Sequence, residues 1–254
     1  MLPFFAYQIT TSELITGETC PMTFTLSECI EIIYNVFSSL ISNFSSQFSL
    51  HDIILTTDIA QSVKDFGMEE DATGYRGVTF QLDTGEIKVI VVATSNPFDF
   101  AEAVYHELIH VCDFIRFKNI YNVSLLKEHP LYNTLNSYTE YNAHKLGTLL
   151  ATVFIRGGWG IDLANKYVSV EAFKDNIKKT KDGKRLTTDL FRYLGQASLL
   201  DEHFQSEDYS KAVFNLMPNQ RCSDLLREIY EQCQLHPPQL EYIDILVDEL
   251  CACS

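Results

Sequence analysis

His106, Glu107 and His110 stand in the order H-E-x-x-H. On a helix, residues four apart share one face, so both imidazoles can reach a single Zn²⁺ while Glu107 projects beside them toward an open coordination position. Zinc lowers the pKa of a bound water from about 15.7 to near 7, and a neighbouring carboxylate can take the proton as that water attacks a carbonyl carbon. The expected chemistry is hydrolysis at one zinc ion per chain, with Glu107 as general base. This chemistry requires the five residues to be helical.

The surrounding pattern predicts that helix. After Asn96 and Pro97, the residues Phe98, Ala101, Val104, Tyr105, Leu108, Ile109, Cys112, Phe114 and Ile115 recur at helical spacing, and Pro97 suits a first turn. Upstream, GVTFQL and IKVIVVAT flank the turn-forming Asp83 to Glu86 and read as a β-hairpin. Before the hairpin come an amphipathic helix from Leu26 to about Asn43, a short strand in HDIILTTD and a short helix from Ile59 to Phe66 closed by Gly67. Downstream, a long helix runs from about Leu131 to Phe154, stopped by Gly157, Gly158 and Gly160. TKDGKR then separates two helical stretches, and 186–204, 209–216, 222–233 and 240–251 all read as helices. The expected fold class is α+β: a short mixed sheet with a hairpin, packed on a motif helix and a glutamate-bearing helix, followed by a helical C-terminal region. The expected division is 1–165 and 166–254, with the two parts able to pack as one body.

A catalytic zinc takes three protein ligands, so a third must come from outside the motif. The metzincin arrangement would need a histidine six residues past His110, where this chain has Arg116, and a glycine where it has Asp113. The next helix offers Glu140 in SYTEYNAHKLG, with Ala143 and Gly147 at i+3 and i+7 to let it approach the motif helix closely. His144, four residues on, is an alternative ligand, a partner for a ligand or a donor to a developing oxyanion. Asp113 lies only one turn from His110, an awkward position for a ligand on a continuous helix.

On these motifs, residues 51–155 resemble the gluzincins, the HExxH zinc peptidases whose third ligand is a glutamate on a following helix, and among them the small, minimal members. The resemblance implies a zincin-like fold, His106, His110 and Glu140 as ligands, Glu107 as general base and Asp113 supporting a zinc histidine from behind. It also implies that the strand nearest the site, taken as IKVIVVAT, pairs with an extended peptide substrate. One departure is plain: better-known gluzincins often carry an aspartate where this chain has His144. An oxyanion donor is expected among Tyr138, Tyr141, His144 and Arg156, and sequence alone does not choose.

Composition narrows the partners. Thirty-four acidic against 19 basic residues give a net charge of −15, which repels a phosphate backbone, so no nucleic-acid partner is expected. A peptide or protein substrate is the expected partner. No stretch approaches the roughly 20 apolar residues of a membrane span, and the start lacks a secretory pattern, so a cytoplasmic location without membrane attachment is expected. Seven cysteines without C-x-x-C spacing read as reduced thiols. The reading is a zinc-dependent endopeptidase. Its rivals are a non-catalytic regulatory or binding module that keeps the zinc site as structure, and a hydrolase of non-peptide amides or esters.

Overall fold

The computed structural model describes residues 25–68, 72–121, 129–156, 183–235 and 237–253. The expected stop at Gly157, Gly158 and Gly160, the stretches around TKDGKR and the division at 165 lie outside them. The fold is mixed α+β, mostly helical, with one three-stranded mixed sheet.

Helix α1 (Leu26–Leu40) starts at a capping box: Thr25 accepts from the Glu28 amide, and Glu28 accepts from the Thr25 amide in return. Ile30, Ile33, Tyr34 and Phe37 form its buried stripe. A short α2 (Phe44–Gln47) and a 3₁₀ turn (Leu50–Asp52) lead to β1 (Ile53–Thr56). Then follow α3 (Ile59–Asp65) and the hairpin β2 (Gly77–Gln81) and β3 (Ile87–Val92). Gly85 in the hairpin turn has φ +88°, a left-handed conformation that glycine adopts without a Cβ penalty.

β3 is the central strand, parallel to β1 (Ile53 opposite Val89) and antiparallel to β2 (Thr79 opposite Val89). Because side chains alternate along a strand, Ile87, Val89 and Val91 join the core beneath α1, while Ile90 joins Phe80, Ile59 and Val63 on the other face. Burial on both faces explains why this strand is a nearly continuous apolar run.

α4 (Pro97–Tyr121) begins where the Asn96 side-chain oxygen accepts from the Phe98 amide at 3.0 Å. It packs against α1, β2, β3 and α5 (Tyr132–Arg156), and its buried residues, from Phe98 to Phe117, lie on nearly every side. α5 separates two cores. Ala143 and Ala151 face the α1–α4–sheet core, whereas Leu135, Tyr138 and Tyr141 belong to a second core with α6 (Gly183–Phe204), α7 (Asp208–Phe214), α8 (Gln220–Cys233) and α9 (Leu240–Cys253). Each of these four helices lies within two or three residues of its expected bounds. None of the described helices is long and apolar enough to cross a membrane.

Candidate metal centre

The facing surfaces of α4 and α5 bring the donors together. Gly147 of α5 lies against the α4 backbone: a Cβ there would meet the Cα and N of His106 at 3.3 Å. With Ala143 fully buried one turn earlier, the two helices approach as the small-residue spacing predicts. His106 and His110 share one face, their Nε2 atoms 3.1 Å apart and their rings edge to face at 4.7 Å. Glu140 completes the group, its Oε2 3.8 Å from His106 Nε2 and its Oε1 3.8 Å from His110 Nε2.

Burial keeps both imidazoles neutral. It pushes His106 well below the ordinary histidine value, and it brings His110 down to about 4 even though the Glu140 charge opposes the shift. Burial acts the other way on Glu140, but the hydrogen bond with His144 and the positive charge of Arg192 oppose it, and the carboxyl is held well below its usual range. At neutral pH the group is therefore two neutral imidazoles and one carboxylate, the protonation states that bind a metal. Tetrahedral coordination with bonds near 2.0–2.1 Å would put donor atoms about 3.3 Å apart. The observed 3.1, 3.8 and 3.8 Å, the last two to different Glu140 oxygens, lie on either side of that separation, so the three side chains could hold a metal ion.

Glu107 points from the same turn of α4 toward β2. Thr79 Oγ1 lies 2.7 Å from Glu107 Oε2 and 3.1 Å from the Glu107 carbonyl oxygen, so its hydroxyl donates to the side chain or the main chain of one residue. Gly77 leaves room for it: a Cβ there would meet Glu107 Cγ and Oε1 at 2.7 Å. Burial raises the Glu107 carboxyl to about 8, with the Thr79 hydrogen bond opposing the shift. A nearby dication would favour the charged form and bring it down again.

His144 sits beside the three donors. Its ring is 4.8 Å from that of His106, its Nε2 is 3.6 Å from Glu140 Oε2, and its Nδ1 is 3.3 Å from Gln196 Nε2. Asp113 is buried, and its Oδ2 accepts from Asn142 Nδ2 at 2.9 Å, a bond that ties α4 to α5; burial raises its carboxyl to about 7. The Nδ1 atom of His110, where a supporting carboxylate would bind, has no hydrogen-bond partner among the described residues. Of the four expected oxyanion donors, Tyr138 is fully buried against Phe117, and Tyr141 donates to Ser198 in the second core. The Tyr141 hydroxyl is thereby taken up in the second core and Tyr138 lies in the surroundings of Asp113 and Asn142, whereas His144 is beside the donors; the Arg156 side chain is outside the described residues.

The strand expected to receive a peptide needs correction. IKVIVVAT contains β3, and both of its edges are already hydrogen-bonded, to β1 and to β2. Nearness to the motif in sequence made it look available, but a buried apolar run marks a central strand. The edge beside Glu107 belongs to β2, which pairs only with β3 among the described strands.

Sequence reasoning missed Arg192. From α6 its Nε and Nη2 donate to Glu140 Oε2 and Oε1 at 2.9 and 3.2 Å, a two-pronged contact, while Nη1 lies 3.6 Å from Asp189. α6 reaches α5 this closely because of Gly195, where a Cβ would come within 2.3 Å of the Tyr141 carbonyl oxygen. Arg192, Gly195 and Gln196 stand at i, i+3 and i+4, so one face of α6 carries the arginine, the contact point and the His144 partner. The available signal was a glycine inside a strongly helical pattern with a basic residue one turn before it. Comparison with protein-family models, curated proteins and solved structures finds no match to this chain.

Proposed function

We propose that the chain is a zinc-dependent peptidase of the gluzincin type, with His106, His110 and Glu140 as the ligands and Glu107 as general base. One observation carries this reading: three metal-binding donors converge while a fourth buried group, Glu107, stands free of the donor set with a hydroxyl partner of its own. A purely structural metal site has no use for such a carboxylate.

Zinc held there would supply Lewis acidity, acidifying water and polarising a substrate carbonyl. The protein's own part is positional and protolytic. Glu107, oriented by Thr79, takes the proton of the attacking water on a side-chain oxygen and passes it to the leaving amine. His144, beside the ligands and oriented by Gln196, is placed to donate to the oxyanion as it develops. An extended peptide would add to the open edge of β2, with Gly77 keeping the strand's backbone close to Glu107.

The rival in which the group is structural draws support from Arg192, which already satisfies both oxygens of Glu140 without a metal. The two readings separate in the Glu107→Gln variant, assayed with zinc supplied against a quenched-fluorescence peptide library. A peptidase keeps its zinc and loses turnover, whereas a structural site has no turnover to lose. Full activity in the variant contradicts the general-base role.

A further inference from the structure

A close pair of thiols lies in the helical core, apart from the donor group. Cys222, in the first turn of α8, and Cys253, in the last turn of α9, have their Sγ atoms 2.6 Å apart. Non-bonded heavy atoms ordinarily rest about 3.5–4.0 Å apart, and a disulfide bond is about 2.05 Å long, so the sulfurs lie well inside ordinary contact. The surrounding structure holds them there. Asn219 accepts from the Cys222 amide at 2.9 Å and donates through Nδ2 to the Cys253 carbonyl at 3.3 Å. The Cys222 thiol also lies 3.2 Å from that carbonyl, and Arg221 pairs with Glu249 at 2.5 Å. Leu225, Leu226, Ile229, Leu246 and Leu250 fill the core between the helices.

The two sulfurs differ in access. Cys222 is fully buried and Cys253 is partly exposed, the arrangement of a resolving thiol behind an attacking one. Spacing in the sequence could not reveal the pair, because the antiparallel packing of α8 and α9 joins residues 31 positions apart.

We propose that Cys222 and Cys253 are a dithiol that closes to a disulfide in the presence of a low-molecular-weight disulfide such as oxidised glutathione. The Cys253 thiolate attacks one glutathione sulfur, forming a mixed disulfide and releasing one glutathione. The Cys222 thiolate then attacks Cys253 Sγ and releases the second. Two protein thiols lose two protons and two electrons, and oxidised glutathione becomes two molecules of glutathione. The product fastens the end of α9 to the start of α8 and restricts the unfolded chain, so the folded state gains stability.

The test is equilibration of the full-length chain in glutathione buffers of rising oxidised fraction, followed by acid quench, alkylation, intact mass and peptide mapping. The expected result is a species lighter by two hydrogen atoms, a Cys222–Cys253 linked peptide, a raised unfolding temperature and reversal by dithiothreitol. Cys253→Ser, a change at the more accessible position, should abolish the link and the temperature shift without disturbing the fold. Cys251→Ser should leave both intact. Persistent alkylation of both cysteines at every ratio overturns the proposal, as does a lasting mixed disulfide on Cys253 or a link that runs through Cys251.

Discussion

Residues 97–156 and residues 183–204 meet at one carboxylate, but they reach it by different routes. In α4 and α5 the functional atoms follow from helical repeat: His106 and His110 share a face, and Gly147 lets Glu140 approach them. In α6 the one local mark on Arg192 is the glycine a turn after it. It reaches Glu140 because Gly195 seats α6 on the α5 backbone. The grouping of the donors is thus a short-range property, whereas the charge and orientation of the shared carboxylate depend on docking across 52 residues.

The first way to break this contrast is to remove the proposed general base. Glu107→Gln should retain zinc and lower peptide hydrolysis by about 10²- to 10⁴-fold, read from initial rates on the best library substrate. The contrast then predicts that a change in α6, distant in sequence, also disturbs the site. Gly195→Ala places a Cβ against the Tyr141 carbonyl, so α6 must lift; a cost of about 1–3 kcal/mol is expected in denaturant unfolding, together with weaker zinc binding. If the variant is as stable as the parent and binds zinc equally, α6 does not brace the ligand.

Arg192→Leu isolates the bracing contact itself. Losing a group that orients a metal ligand typically costs about 10- to 100-fold in affinity, and zinc titration against a competing chelator should show a loss of that size. A pH series tests the burial of Glu107. Its folded carboxyl is raised to about 8, so the stabilisation tied to its protonated form is complete below about 4.5 and is lost as pH rises through 8. Relative to Glu107→Gln, the metal-free parent should therefore lose stability across that window, as measured by unfolding midpoints. An unchanged difference would mean that Glu107 is solvated. The smallest effect is expected at Gly147→Ala, where the contact with the His106 backbone is 3.3 Å and a shift of a few tenths of an ångström relieves it. The better helix propensity of alanine offsets part of that cost.

The same contrast explains what was legible in the sequence. The hairpin, the motif helix, Glu140 and the four later helices were readable because apolar periodicity, caps and turn residues are local. The strand order was not: the central place of β3 depends on parallel pairing with β1, which lies more than 30 residues earlier. Thr79 was not readable as a partner of Glu107 because the bond crosses 28 residues between a strand and a helix. Asp113 was singled out for its position, yet its hydrogen bond goes to Asn142, since the helices' relative rotation decides which side chain it meets. Arg192 and Gln196 were hidden for the same reason, and so was the approach of Cys222 to Cys253.

Zinc stoichiometry of the purified full-length chain, equilibrated with zinc and freed of excess metal, tests the central claim most directly. About one zinc per chain is expected, falling to trace amounts when His106 and His110 are both replaced by alanine. A parent chain that retains no zinc, or a double variant that retains as much as the parent, would contradict a metal centre built on His106, His110 and Glu140.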